Sequence, residues 1–294
     1  MVIGRLEGEE KMDIEKVIAA QPIYTAHGKP SEDTTRAYKR TARFFINWLI
    51  QHGRDVETAD YNDAAEYVHE LYQQGIKREG VNQRIAGARA FFRTAISIGE
   101  FTRANPFAEI KGQKQGAIPT THYFNQDEMR QIFNACNTDR ERALILIMGV
   151  EGLRTVEVQR MRIKDIDYQN SRIKIHGKGD HDSYIFPSDI TLETLKKYIG
   201  TRTNGEVFIN DIDGGSLTRQ GIKWVTNGIL KRAGLKKKGV SCHALRHSCG
   251  TNLYEATKDI RLVQETLRHQ SPEVTARYAH VINRKNATSV IANF

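Results

Sequence analysis

The stretch His243-Ala-Leu-Arg-His247, in the last third of the chain, begins a predicted helix, and the fold assignment rests on it. Downstream of it lies Leu267-Arg-His269, and Tyr278 follows nine residues after that histidine in another helical pattern. Each residue type alone is weak evidence for chemistry, because arginines on helices are usually at the surface and tyrosines at helical spacing usually lie in a core. Their order and spacing carry the information.

Two stretches upstream extend this pattern. Glu151-Gly-Leu-Arg154 follows a predicted helix, and Glu157 comes one helical turn later. Lys178 lies between two glycines in a turn that joins two short β-branched segments. A lysine in such a turn is usually solvated, so Lys178 is evidence for a functional site only together with the other residues in this order.

The chain as a whole is predicted to be mainly α-helical with one small antiparallel β-meander. Apolar residues at helical spacing, with capping and stop residues, predict helices over 31–50, 61–74, 80–98, 126–136, 139–150, 191–198, 218–233, 243–256, 260–267 and 272–281. Short alternating segments predict strands over 163–167, 172–175 and 183–186.

These elements predict two domains. Residues 1–30 have poor periodicity and are expected to form a mobile or loosely docked lead-in. Residues 31–107 form a small helical domain, and the polar, basic, glycine-rich segment 108–121 is a linker. Residues 122–294 form the second domain.

Composition restricts the class of protein. The 294-residue chain has 44 Lys and Arg against 35 Asp and Glu, a formal net charge of +9, with 39% apolar residues. It has no apolar run of about 18 residues that could span a membrane. The three cysteines are an odd number in a chain whose first residues show no signal-peptide core, so we expect the reducing cytoplasm. The positive charge favours an anionic partner such as nucleic acid.

Basic residues also cluster locally. The predicted solvent faces of the first domain carry Arg36, Lys39, Arg40, Arg43, Lys77, Arg78, Arg84, Arg89 and Arg93. A second cluster, with two linker lysines, comprises Lys231, Arg232, Lys236, Lys237, Lys238, Lys111 and Lys114. Either set could contact DNA phosphates, which give affinity rather than sequence choice, or could simply be solvated.

The ordered series of residues resembles the tyrosine recombinase (lambda-integrase) superfamily, which includes the Xer and Cre recombinases. The resemblance runs from about residue 31 to 281. It implies a helical core-DNA-binding domain of the SAM-like type and a catalytic domain, which together form a C-shaped clamp on DNA. The implied activity is site-specific cleavage and rejoining of DNA strands through a covalent 3′-phosphotyrosine, for integration, excision or resolution.

Residue by residue, Arg154 matches the first catalytic arginine of that family, and Glu157 matches the acidic residue that commonly supports it. We interpret Glu157 as orienting Arg154 or His243 rather than as touching substrate. Lys178 matches the lysine of the β-hairpin turn.

The remaining matches lie nearer the carboxyl end. His243 and Arg246 correspond to the family's His-x-x-Arg pair, His269 to its later His or Trp, and Tyr278 to the nucleophile. The family often has glycine where this chain has Arg268, and the sequence leaves open whether Arg268 contacts phosphate or points to solvent.

These residue types suit transesterification of a phosphodiester. The Tyr278 hydroxyl can attack phosphorus, while Arg154 and Arg246 neutralise charge on the nonbridging oxygens without a metal or other cofactor. Lys178 can protonate the leaving 5′-oxygen, and His243 can accept the tyrosine proton or hold the phosphate. His269 can donate to a nonbridging oxygen. Tyr254, on the same predicted helix as His243, is the rival nucleophile.

Two other function classes compete with this interpretation. His243 and His247 have the i, i+4 spacing of a zinc-binding helix, with Cys242 and Cys249 nearby, but residue 244 is alanine where such a metallohydrolase has glutamate. A non-catalytic DNA-binding regulator would explain the charge but not the positions of the tyrosine and arginines.

The resemblance also implies the partners. The segment before residue 31 is too short for an additional arm-binding domain, so we expect double-stranded DNA with inverted-repeat core sites. We expect a homo-tetramer in the synaptic complex and no membrane association. Base recognition is assigned to the helices over 80–98 and 218–233.

Overall fold

The computed structural model describes residues 11–25, 32–113, 122–176 and 182–268. The chain divides into two compact units, Met1–Gly116 and Ala117–Phe294. The described residues are mostly helical with one small antiparallel sheet, so the predicted fold class is confirmed. Among the described helices, none has both the length and the apolar character that crossing a membrane would require.

The first unit is helical around an aromatic core. Its described α-helices are α1 (Ile14–Thr25), α2 (Glu32–Gln51), α3 (Tyr61–Gln73) and α4 (Arg78–Ser97). Phe45 of α2 lies in the centre of this core, with its ring centroid 4.7 Å from that of Phe107 and 5.1 Å from that of Tyr67. The edge-to-face pair with Phe107 contributes about 0.5–1.5 kcal/mol beyond the buried area. Burial of these rings holds the predicted helices together.

Helix α1 contradicts part of the prediction for residues 1–30. Val17 and Ile18 are buried against the other helices of this unit, and the Gln21 side-chain amide donates to the carbonyl of Gly87 at 3.3 Å. The prediction of a loosely docked lead-in is therefore wrong for 14–25. The pattern missed this helix because Pro22 interrupts it and its stability comes from packing on neighbours rather than from its own periodicity.

The second unit has a larger core. Its described α-helices are α5 (Gln126–Asn134), α6 (Asp139–Gly149), α7 (Thr155–Gln159), α8 (Asp189–Ile199), α9 (Arg219–Arg232), α10 (Cys242–Thr257) and α11 (Ile260–Thr266). Helix α5 begins with a capping box, since Asn125 and Glu128 exchange main-chain to side-chain hydrogen bonds of 2.9 and 3.0 Å. Helix α6 is almost wholly buried and contacts α8 and α10. The predicted helix over 272–281 lies outside the described residues.

The small sheet has the order β1 (Ile166–Asp167), β2 (Arg172–His176) and β3 (Asp182–Ile185), with both pairs antiparallel. The meander is confirmed, and Ile173 and Ile175 of β2 are buried. Four strand bounds differ from the prediction, two of them by one residue at the β2–β3 turn side. Residues Ile163–Asp165 form a 3₁₀ turn rather than strand, and Phe186 lies beyond β3 with 75% of its surface exposed. Alternation alone does not distinguish a strand from a short turn.

Candidate active site

Arg154 is placed by a tight turn and a very short helix. The chain leaves α6, turns at Gly152 with φ +69°, and begins α7 with Arg154 as its N-cap. Glu157, three residues later, accepts from the Arg154 main-chain N–H at 2.7 Å and from its guanidinium Nη1 at 2.9 Å. The same carboxylate therefore caps the helix and orients the arginine. With five residues, α7 was too short for its periodicity to be seen in the sequence.

Arg246 reaches the same place from α10. It is buried, and its guanidinium donates to the carbonyl of Gly152 through Nη1 and to the carbonyl of Leu267 through Nη2. Its Nη1 also lies 3.9 Å from a carboxylate oxygen of Glu157. One buried arginine thus ties together the turn before Arg154 and the end of α11.

Glu157 lies at the centre of an arginine cluster, defined as Arg154, Arg246 and Arg268. Arg268 Nη2 donates to Glu157 Oε2 at 2.9 Å, and only 13% of its side chain is exposed. Arg268 therefore does not point to solvent. Burial raises the pKa of Glu157, but Arg268, the Arg154 N–H and the other two guanidiniums outweigh it, so its pKa is lowered overall. Glu157 contacts Arg154, as predicted, and no hydrogen bond joins it to His243 in the described residues.

His243 lies in the first turn of α10 with its side chain exposed. Desolvation lowers the pKa of His243, and the positive charges of Lys223 on α9 and of Arg246 lower it further. At neutral pH the ring is therefore mostly neutral and able to accept a proton. Its neighbour on the helix, His247, is buried, with its ring edge-on to Tyr123 at 6.5 Å.

Three predicted site residues, Lys178, His269 and Tyr278, lie outside the described residues. The structure does describe what flanks two of them. Strand β2 ends at His176 and β3 begins at Asp182, one on each side of the undescribed segment that includes Lys178. The last two described residues before His269 are Leu267, whose carbonyl accepts from Arg246, and Arg268, which pairs with Glu157. Of the predicted set, the structure brings Arg154, Arg246 and Glu157 into one cluster and places His243 one turn before Arg246.

The described residues give no support to a metal site at His243 and His247. Within the described ranges, no three His, Cys, Asp or Glu side chains converge in the way that a metal site requires. Cys242 lies 3.4 Å from the hydroxyl of Thr155, and the Cys249 thiol donates to the carbonyl of Val150 at 2.9 Å. Burial raises the pKa of Cys249 to about 12, so this thiol stays protonated and serves packing.

Comparison with known proteins gives the family. The model of the phage integrase family matches residues 122–285, which is more than half of the chain, and the phage integrase N-terminal SAM-like domain matches residues 25–99. The chain belongs to the phage integrase family. It is a tyrosine recombinase, an enzyme of site-specific DNA recombination.

Relatives of this integrase match over most of its length. The tyrosine recombinase XerC of Staphylococcus saprophyticus is 27% identical over 267 residues, covering 87% of this chain and 88% of the relative. A XerH recombinase in a pre-cleavage complex with its difH substrate has a TM-score of 0.73 at 19% identity, covering 97% and 98% of the two chains. A lambda integrase dimer bound to a COC′ core site has a TM-score of 0.68 at 19% identity, with coverage of 90% and 76%.

The integrase site includes a supporting residue that sequence reasoning missed. Glu151 Oε1 accepts from the N–H of Ser188 at 3.1 Å, from its hydroxyl at 2.9 Å and from the hydroxyl of Thr191 at 2.7 Å. It thereby fixes the start of α8 to the segment that leads into Arg154. No local pattern predicts this, because the partners lie about 40 residues away in the chain.

Part of the predicted basic surface of the integrase is structural. Arg89 of α4 donates to the main-chain carbonyls of Phe107 and Ile110, and Arg232 of α9 pairs with Glu141 at 2.5 Å. Arg89 was expected on a solvent face that either contacts DNA phosphates or is solvated, but its guanidinium instead holds the chain after α4. Sequence shows charge but not whether an arginine already has protein acceptors.

A substitution at Gly152 tests the turn that positions both arginines. A Cβ there would lie 2.5 Å from Leu267 and 3.0 Å from the Cys249 sulfur, on a backbone with φ +69°. We expect Gly152→Ala to lower the free energy of unfolding by about 2–4 kcal/mol, from left-handed strain and overpacking together. Urea unfolding measures this loss. The matched control is Gly200→Ala, since Gly200 has φ +62° but no atom within 4 Å of its Cβ position. Equal losses in the two variants would contradict the packing argument.

Proposed function

We propose that this integrase cleaves and rejoins duplex DNA at core sites through a covalent phosphotyrosine on Tyr278. The observation that carries the proposal is the convergence of Arg154 and Arg246, from helices far apart in the sequence, on one buried carboxylate. The cluster of three arginines and one glutamate has a net charge of +2, so it is built to receive an anion. A scissile phosphate supplies that charge.

The two proposed phosphate ligands differ in exposure. Arg154 is 39% exposed, whereas the Arg246 side chain is 9% exposed and held by two carbonyls. Fork-shaped guanidiniums suit the nonbridging oxygens of a phosphate and keep their charge at all working pH values. We assign both arginines to stabilising the charge that grows on these oxygens in the transition state.

The proposed reaction transfers two protons, one from the attacking oxygen of Tyr278 and one to the leaving 5′-oxygen of the DNA. The Tyr278 oxygen bonds to phosphorus while its proton passes to His243, whose lowered pKa keeps the ring neutral and able to accept it. The bond from phosphorus to the 5′-oxygen breaks, and Lys178 gives that oxygen a proton. His269 donates to a nonbridging oxygen. Rejoining reverses these steps, and the phosphotyrosine conserves the bond energy, so no nucleotide is consumed.

The proposed substrate is DNA with inverted core repeats, bound by both domains (residues 31–107 and 122–294) as a clamp. Helix α9 presents the exposed side chains of Gln220, Lys223 and Trp224, the last 76% exposed, on the side where Lys223 acts on His243. We assign base contacts to this face and to α4, and propose a homo-tetramer in the synaptic complex that acts in the cytoplasm. One structural relative is a lambda integrase tetramer bound to a Holliday junction, with a TM-score of 0.68 at 18% identity.

Covalent trapping tests the proposal. Site DNA is selected from a random duplex pool by retention on the protein, and a nick is placed beside the cleavage position so that the released fragment diffuses away. We expect a protein–DNA adduct that survives SDS. If the protein retains the selected DNA but gives no adduct on any nicked form of it, the enzymatic proposal fails and a DNA-binding regulator is the better description.

The same assay makes a prediction about cofactors. Strand cleavage is expected to proceed at an undiminished rate in EDTA and without nucleotide, because Arg154 and Arg246 supply the positive charge that a divalent ion supplies in many nucleases. The measurement is the adduct yield over time with and without EDTA. Loss of cleavage in EDTA that magnesium or zinc restores would count against the assigned role of the arginines.

A further inference from the structure

Arg268 occupies a backbone conformation that a non-glycine residue adopts only at some cost. Its φ is +51°, in the left-handed region, where a side chain is disfavoured by about 1 kcal/mol or more. Glycine would be the residue of least strain at such a position. A contact of the arginine side chain must therefore offset this cost.

That contact is the buried carboxylate of Glu157. Arg268 Nη2 donates to Oε2 at 2.9 Å, while Arg154 Nη1 donates to Oε1 at 2.9 Å, so one carboxylate joins the two guanidiniums, one through each oxygen. Arg268 Nη1 also donates to the carbonyl of Thr266 at 3.1 Å, at the end of α11. The side chain is fixed at both ends of its fork.

The two arginines whose guanidiniums hydrogen-bond to Glu157, Arg154 and Arg268, differ in what else they can reach. Arg268 is 13% exposed and Arg154 is 39% exposed, so Arg154 is the one of the two that is open to an incoming phosphate. The chain beside Arg268 is fixed too, because Arg246 donates to the carbonyl of Leu267. Leu267 is therefore hydrogen-bonded to Arg246, and Arg268 to the Glu157 carboxylate that orients Arg154.

We infer that Arg268 is a positioning residue, which acts through Glu157 to orient the Arg154 guanidinium and fixes the chain where it leaves for His269. This inference rests on the proposed function and deepens it, since it concerns the same site. Arg268 does not touch the phosphate itself. A glycine at this position would leave the backbone flexible, whereas the Arg268–Glu157 ion pair fixes the orientation of the Arg154 guanidinium before DNA binds.

The test compares Arg268→Gly with wild-type protein on the nicked substrate, at saturating protein so that binding does not limit the rate. Glycine relieves the left-handed strain, so the midpoint of thermal unfolding should stay close to that of wild type. The single-turnover rate of adduct formation should fall about 10- to 100-fold, the size expected for the loss of a charge-assisted hydrogen bond. Arg268→Lys, which retains one charged donor, should recover part of the rate.

The matched control is Arg261→Ala on α11, the helix that ends just before Arg268. Arg261 is 86% exposed and lies 3.8 Å from Glu265, so its removal deletes one positive charge without touching the cluster. Its saturated rate should equal that of wild type. A double-mutant cycle distinguishes positioning through Glu157 from a purely structural role. If Arg268 acts through Glu157, then Arg268→Met should have little further effect on the rate in a Glu157→Gln background.

The outcomes separate the inference from the proposed function. No adduct with wild-type protein rejects the proposed function. If wild type forms the adduct and Arg268→Gly reacts at the same saturated rate, the positioning role is overturned. It is also overturned if only DNA affinity falls, if Arg261→Ala loses as much rate, or if the effects of Glu157→Gln and Arg268→Met are additive.

Discussion

Replacing Tyr278 with phenylalanine is expected to abolish adduct formation while leaving DNA binding within about two-fold of wild type. The ring remains for packing, but the oxygen that would bond to phosphorus is gone, and no other step in the proposed reaction can form the covalent intermediate. The measurement is the SDS-resistant adduct on nicked site DNA, alongside a binding titration of the same duplex.

Tyr254→Phe is the matched control. Tyr254 lies on α10, partly buried beside the small cluster of Cys249, Val263 and Leu267, and it is the rival nucleophile that the sequence offers. This variant should form the adduct at the wild-type level. If the adduct persists in Tyr278→Phe and disappears in Tyr254→Phe, the nucleophile is Tyr254 on α10 and not Tyr278.

Lys178→Ala is expected to slow strand cleavage by about 100- to 10,000-fold, the range for loss of a positioned general acid. The 5′-alkoxide is a poor leaving group and needs a proton as its bond to phosphorus breaks, whereas a thiolate leaves without one. A substrate with sulfur in place of the bridging 5′-oxygen should therefore restore most of the rate to Lys178→Ala. The measurement is the single-turnover rate on the two substrates.

Arg154→Ala is the control for that experiment. Its assigned role is to stabilise charge on the nonbridging oxygens, which the sulfur substitution leaves in place, so the 5′-thio substrate should not rescue it. Equal impairment of Lys178→Ala on both substrates would reduce Lys178 to a phosphate contact that contributes to binding alone.

Much of the fold follows from local sequence. Helices α2, α3 and α4 were predicted within about two residues of their ends, since their inward residues recur at helical spacing and few alternatives bury them. The meander was predicted from alternation and turn residues, apart from the 3₁₀ turn at Ile163–Asp165. Periodicity is a local property, so it identifies only those helices and strands whose buried residues recur at a regular spacing.

The candidate site was predicted only as a set of residues in order. Sequence identified Arg154, Glu157, His243 and Arg246, and the structure brings three of them together and sets His243 one turn from Arg246. The assignments of Lys178, His269 and Tyr278 stay predictions, because the structure does not describe those residues.

By itself, the sequence determined the helical class, the small meander and the order of the reactive residue types, because these depend on spacing along the chain. Only the tertiary structure decided that α1 packs into the first unit, that Arg89 is occupied by main-chain carbonyls and that Arg268 pairs with Glu157. Each of these depends on groups far apart in sequence that meet once the chain is folded. A hydrogen-bonding side chain takes whatever acceptor the fold brings near it, and no local pattern records which one that is.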